Sequence, residues 1–232
     1  MTKIPRGVAD QDRQVAVVHD QRGSLIALDL ASGTVRWRGG VNLRPCSIVG
    51  DAVVAARVNA QNELTIVTTR LNDGREEWST PPIALPGWVR PTLDDRPEFE
   101  LRAETHGQQV ALHWIARARY RGGAAPSQQV LARHAEDAAG VVRLNLADRT
   151  VRSTAEPPGE PAEPLAPRAQ LGAKPDVVDR TELGGLALEL VLHRRAQADA
   201  VSLRAVDPGN EAFRWEVTLD DAIERRVPKL RP

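Results

Sequence analysis

Three histidines end apolar stretches in similar settings: His19 in "QVAVVHD", His113 in "QQVALHW" and His193 in "LVLHRR". Three imidazoles are the ligand set of several catalytic zinc sites, and a lone imidazole can serve as a general acid or base. If the strands carrying them are equivalent members of a repeated sheet, the three rings share one face. His19, His113 and His193 are therefore the candidate metal ligands, and a divalent metal is the one cofactor left open. A metal reaches nitrogen at about 2.1 Å, a short distance for residues on separate sheets. The plainer reading is that each ring ends a strand where the chain meets water.

Other candidates are weaker. "TLDDRPEFE" gathers Asp94, Asp95, Glu98 and Glu100, and paired carboxylates do acid–base work when their surroundings separate their pKa values. They flank Pro97, which also fits a solvated loop. "PGWVRP" sets Trp88 beside Arg90, a candidate ligand-binding platform through stacking or cation–π contact, or alternatively a core plug. Cys46 leads into an apolar run and reads as an inert buried thiol, since a nucleophile needs a base beside it. The sequence contains no Gly-x-Ser-x-Gly, no phosphate-binding glycine loop and no His-Glu-x-x-His.

The totals exclude several classes. The 232 residues carry 31 basic and 31 acidic side chains, so there is no excess positive charge to displace counterions from nucleic acid or an anionic membrane. One cysteine rules out an intrachain disulfide and a thiolate-cluster metal site. No apolar run approaches the roughly 18 residues of a membrane span, and the opening "MTKIPRGVADQDRQ" lacks the apolar core of a signal peptide. A cytoplasmic protein is expected, binding neither nucleic acid nor membrane. Nearly all basic residues are Arg, with Lys only at Lys3, Lys174 and Lys229, the usage of a GC-rich bacterial genome.

What must position the candidates is a repeat. "SLIALDLASGTVRW" (Ser24 to Trp37) alternates like a strand, turns, and ends on tryptophan. "LTIVTTRLNDGREEW", "VSLRAVDPGNEAFRW" and a worn "GVVRLNLADRTVRS" have the same layout. Asp29, Arg70, Asn145 and Asp207 each stand eight residues before Trp37, Trp78, Ser153 and Trp215. An Asx side chain at the strand end accepts backbone N–H bonds and closes the turn, and Gly33 and Gly74 supply positive φ. Arg70 replaces the Asx residue in the second copy, while Arg149 and Glu211 replace the glycine in the worn copy and the last. Another strand lies upstream of each turn, so each unit reads strand, loop, strand, Asx turn, strand. The 41 residues from Trp37 to Trp78 fall in the range of propeller blades, about 40–50.

"ALDLASGTVRW" resembles the repeat of the PQQ-like (quinoprotein dehydrogenase-like) β-propellers, Ala-x-Asp-x-x-[Thr/Ser]-Gly-x-x-x-Trp. Ala27, Asp29, Ser32, Gly33 and Trp37 match it throughout; Ala205, Asp207 and Trp215 match in the last unit, and Gly74 with Trp78 in the second. The resemblance implies an all-β fold, a small β-propeller of about four four-stranded antiparallel blades, incomplete or barrel-like in its alternative form. It implies a single domain over 1–232. In the quinone-dependent branch the cofactor lies between a tryptophan and two adjacent cysteines, with a metal held by carboxylates. A chain with Cys46 alone cannot make that pair, so PQQ is not expected. Another branch comprises assembly and scaffold propellers of the bacterial envelope.

Residues 154–182 hold Pro157, Pro158, Pro161, Pro164, Pro167 and Pro175 and read as a long inter-blade loop, or as a recognition arm over one face. The functional expectation is a non-catalytic binding or scaffold module that recognises a protein or peptide on one loop face. The alternative is an enzyme on a degenerate propeller, tailoring a peptide or small molecule in a specialised bacterial biosynthetic pathway, with metal assistance from the histidines. An exposed edge strand would also let two copies pair as a homodimer.

Overall fold

The computed structural model describes residues 2–20, 22–61, 63–92, 99–117, 138–156, 176–194 and 198–224. These form four antiparallel sheets and no helix. The first comprises β1 (Thr2–Ile4), β2 (Gly7–Asp10), β3 (Val15–His19), β4 (Leu25–Asp29) and β5 (Val35–Gly39). The second comprises β6 (Leu43–Val49), β7 (Ala52–Val58), β8 (Leu64–Arg70) and β9 (Glu76–Ser79). β10 (Phe99–His106), β11 (Gln109–Ala116), β12 (Ala138–Asn145) and β13 (Thr150–Glu156) make the third. β14 (Val177–Leu183), β15 (Leu186–His193), β16 (Ala198–Val206) and β17 (Phe213–Glu224) make the fourth. Every strand pairs with its sequence neighbour, so each sheet is a simple meander. This is the all-β, blade-built class that the repeat predicts.

The chain forms two compact units, one of residues 1–41 with 168–232 and one of 42–167. In the first unit the first and fourth sheets share a core of Ala16, Val18, Ile26 and Leu28 against Leu188, Leu190, Leu203 and Trp215. In the second unit, Val54, Ala56 and Ile66 of the second sheet pack against Leu112, Trp114, Val142 and Leu144 of the third. A meander with one apolar face cannot stay folded alone, and a sheet-to-sheet core is what satisfies it.

The outer turns explain the spacing of the repeat. Gly33 N–H donates to Asp29 O and Asp29 N–H to Thr34 O, and the same two bonds recur from Gly74 to Arg70 and Arg70 to Arg75, and from Glu211 to Asp207 and Asp207 to Ala212. The fourth residue after the anchor must adopt positive φ: Gly33 and Gly74 at 71°, but also Arg149 at 57° and Glu211 at 56°. The two copies that lost glycine kept its backbone conformation, which is costly for a side chain with a Cβ.

Three of the four anchors also meet the residue seven positions on. Arg36 donates to Asp29 at 2.7 Å and Arg214 to Asp207 at 3.3 Å. In the second copy the charges are exchanged, with Arg70 Nε 3.8 Å from Glu77. Asp73 then supplies the turn's acceptor, taking the N–H of Arg75 at 3.0 Å. Trp215 explains the tryptophan. It lies over the first sheet's turn, its indole N–H donates to Leu30 O at 3.0 Å, and a Cβ on Gly33 would stand 2.5 Å from the ring.

The proline-rich segment is shorter than expected, because β13 runs to Glu156 and β14 starts at Val177, while 157–175 lie outside the described residues. We expect Arg149→Gly to stabilise the protein by about 0.5–1 kcal/mol, since glycine adopts this φ without steric cost. Gly33→Ala should destabilise it by about 2 kcal/mol or more through backbone strain and the clash with Trp215. Urea midpoints of the two variants and the parent check both signs.

Candidate functional site

A cleft of about 460 Å3 lies on the third sheet. It lies on the face turned away from the unit's core, at the end where β10 turns into β11 and β12 into β13. Two rows of directly opposed residues cross it. The first is His106, Gln109, Asn145 and Thr150; the second is Glu104, Ala111, Arg143 and Arg152. Directly opposed residues on adjacent strands present side chains to one face, so all four strands contribute to one surface. Ala111 is the small residue in the middle of the second row, and the cleft exists because the neighbouring side chains outreach it.

The cleft carries both signs of charge. Asp148 is fixed within the turn: its carboxylate accepts from Thr150 N–H at 3.1 Å, Thr150 O–H at 2.8 Å and Asn145 Nδ2 at 3.1 Å. The bonds from the Thr150 hydroxyl and N–H, with the nearby Arg152 charge, hold its pKa below the usual aspartate value. Glu104 faces His113, with Oε2 3.6 Å from Nε2. Among the described residues neither the Gln109 amide nor the Arg152 guanidinium makes a hydrogen bond or ion pair.

A second polar constellation lies on the fourth sheet, again on the face away from its core. Arg180, Glu189, Arg204 and Glu216 stand in register across β14 to β17. Glu189 is only 1% exposed, and it is held by Arg180 at 3.2 Å and by two nitrogens of Arg204 at 2.7 and 3.0 Å. A buried carboxylate needs such partners. Beside this row His193 Nε2 is 2.7 Å from both Ser202 Oγ and Glu216 Oε1, and the Ser202 hydroxyl donates to the same Glu216 oxygen. Burial opposes ionisation of Glu216, but the bonds from Ser202 and His193 and the charges of His193 and Arg204 outweigh it, lowering its pKa.

Serine, histidine and glutamate in contact suggest a nucleophile with its base, and the geometry argues otherwise. In a proton relay the hydroxyl and the carboxylate engage opposite ring nitrogens. Here both converge on Nε2, and Ser202 is 1% exposed. The glutamate is the hub, accepting from both neighbours.

The sequence candidates fall as follows. His19 is buried at the end of β3, with Nδ1 3.0 Å from Asp20 O. His19 and His113 occupy the same register position, four residues past those opposite Asp29 and Asn145. The fourth sheet places Leu190 there; His193 lies three residues further, on the opposite face. The equivalence that grouped the three imidazoles therefore holds for two of them. Among the described residues no three His, Cys, Asp or Glu side chains are placed to hold a metal ion. Trp88 packs partly buried against the second unit's core, and Arg90 bonds the carbonyls of Gly87 and Val89 in its own loop. Glu100 pairs with Arg102 and Arg117, while Asp94, Asp95 and Glu98 lie outside the described residues. Cys46 packs against the second core with its thiol 3.4 Å from Arg44 O.

No protein-family profile and no curated protein matches the sequence. Solved structures do. The β-propeller domain of Cps50 (Swd1) from Myceliophteria thermophila is 13% identical with a TM-score of 0.38, over 96% of this chain and 59% of its own. BamB from Moraxella catarrhalis is 12% identical at 0.28, over 93% and 76%. The β-propeller domain of the Trilobed protease from Pyrococcus furiosus is 9% identical at 0.33, over 90% and 53%. This chain thus spans little more than half of two of these domains. At such identities and TM-scores nothing about activity or partners transfers. Among the described residues no helix is long and apolar enough to cross a membrane.

Two measurements test the electrostatics. Glu189→Gln should destabilise the fold by about 3 kcal/mol in urea melts, because two guanidiniums lose their shared carboxylate. Asp29, lowered chiefly by Arg36 and the Ser32 N–H, and Glu216 both have folded pKa values below their ordinary ones. Their contributions are complete above those ordinary values and are lost as pH falls through the lowered ones. The urea midpoint should therefore drop below about pH 4, and more shallowly in Asp29→Asn and Glu216→Gln than in the parent.

Proposed function

We propose that this protein is a non-catalytic binding module built from PQQ-like repeats, and that it holds a protein or peptide segment in the third-sheet cleft. The observation that carries the reading is the cleft itself. Four strands line it, Ala111 forms its floor, and the Gln109 amide faces it without a partner among the described residues. A primary amide offers donors and an acceptor, the complement of a peptide main chain. The volume of about 460 Å3 lies within the 300–1,000 Å3 usual for ligand sites. It sits on a sheet, where side-chain directions are fixed, beside turns pinned by their own hydrogen bonds. A rigid surface of this kind favours affinity because little ordering is required on binding.

The enzymatic alternative has less to stand on. The one serine–histidine–carboxylate contact among the described residues converges on a single nitrogen, and its hydroxyl is buried. A scaffold role agrees with a sequence that contains no Gly-x-Ser-x-Gly, no phosphate-binding glycine loop and no His-Glu-x-x-His.

The test is a random-peptide display selection against the purified protein, followed by affinity measurement with Ala111→Trp. An indole at this position fills the floor while leaving the core face of β11 untouched. Enriched peptides should bind the variant at least tenfold more weakly, with an unchanged melting temperature. Equal binding to parent and variant would remove the cleft from the proposal.

A further inference from the structure

Resting on the peptide reading above, we propose that the bound segment pairs as a fifth strand along the outer edge of β13, with a bulky apolar side chain beside Ser153. In the strand order β13 ends the third sheet, and among the described residues its outer edge has no neighbour. Residues 152–155 of the strand are exposed. An edge of this kind presents a row of backbone donors and acceptors, and what satisfies such a row is another extended main chain.

The other three sheets protect the corresponding edge, and the third does not. β5, β9 and β17 each pair with the strand before them across a register shift, a bulge that twists an edge away from a partner. β13 pairs with β12 from Asn145–Thr150 to Ala139–Glu156 without a shift. From 150 to 155 it carries no proline and one charged residue, Arg152. Those three strands also carry Trp37, Trp78 and Trp215, whose counterpart here is Ser153. Trp215 lies over Gly33 and Trp37 is buried, whereas Ser153 is exposed. Val151, on the same face of β13, packs partly buried against the second unit's core. A large apolar side chain from the added strand would extend that core over Ser153, where the other sheets use an indole of their own. On the opposite face Thr150 and Arg152 belong to both the edge and the cleft, so a fifth strand continues the cleft's two rows by one residue each. Running antiparallel to β13, the segment leaves the edge beside Thr150 and turns over the cleft toward Ala111 and Gln109.

The probes are peptides of the form Thr-Val-Thr-X-Thr-Val-Thr-Gly-Ser-Gly-Ser, with X as Trp or Ser. Two further forms of the Trp peptide are N-methylated on one or the other alternate set of strand amides. Each is titrated into the 15N-labelled full chain, with amide hydrogen exchange followed along β13. The Trp peptide should slow exchange at alternate residues of 151–155 and bind about tenfold tighter than the Ser peptide. One methylated form should lose about tenfold in affinity and the other none, because only one set of amides faces the edge. Ser153→Trp, with a melting temperature no lower than the parent's, should reduce the Trp peptide to the affinity of the Ser peptide. Methylated and unmethylated peptides binding alike, with β13 unprotected and binding lost in Ala111→Trp, would overturn the edge pairing and leave the peptide cleft standing. Protection of β13 that Ala111→Trp does not change would support the edge pairing and remove the cleft from the peptide reading. Protection that rises with protein concentration alone would overturn the peptide in favour of a second copy of the chain. Equal affinity for the Trp and Ser peptides would overturn the apolar preference beside Ser153. No binding of any probe at millimolar concentration would overturn the inference.

Discussion

Trp215 donating to Leu30 and lying flat over Gly33 joins two stretches of chain 185 residues apart in sequence. The first unit depends on that contact, because its two sheets come from the two ends of the chain and no short connection links them. Closing so long a loop costs entropy that grows only logarithmically with its length. A buried indole, one hydrogen bond and the apolar core around Leu28, Leu203 and Trp215 are the kind of interaction that can meet it. Gly33 is therefore used twice, for positive φ within its turn and for the flat seat it offers a ring from another sheet. An alanine there would satisfy neither requirement.

Much of this architecture was legible in the sequence, because turn chemistry is local. The strand–Asx–glycine–tryptophan spacing predicts the hairpins, and the anchor, the positive-φ position and the docking tryptophan stand where it places them. Arg70, Arg149 and Glu211 look like erosion of the repeat, yet the structure gives each a part. The backbone holds Arg149 and Glu211 in the left-handed region regardless. Arg70 has exchanged charges with Glu77 across the same seven-residue interval, a pattern that could have been found by comparing Asp29–Arg36, Arg70–Glu77 and Asp207–Arg214 directly.

What the sequence could not supply was register. "VVHD", "ALHW" and "LVLH" look alike as strings, but parity along a strand decides which face a side chain takes, and an offset of three rather than four reverses it. His193 thereby meets Ser202 and Glu216 rather than occupying the position of His19 and His113. The cleft was hidden for a related reason. Its rows take one residue from each of four strands between 104 and 152, and Ala111 carries no chemical signal of its own. Only pairing brings Arg143 opposite Arg152.

The polar faces of the third and fourth sheets follow different electrostatic logic, and strand pairing sets the difference. Across the fourth sheet the charges alternate, Arg180, Glu189, Arg204, Glu216, so each carboxylate finds a cation beside it and the row is closed on itself. An alternating row of this kind fixes strand register and needs nothing from outside. Across the third sheet the order is Glu104, Ala111, Arg143, Arg152, with a gap and then two like charges. An acid in place of Ala111 would sit opposite Arg143 as Glu189 sits opposite Arg204, so the two rows differ at this residue in how charge is balanced between adjacent strands.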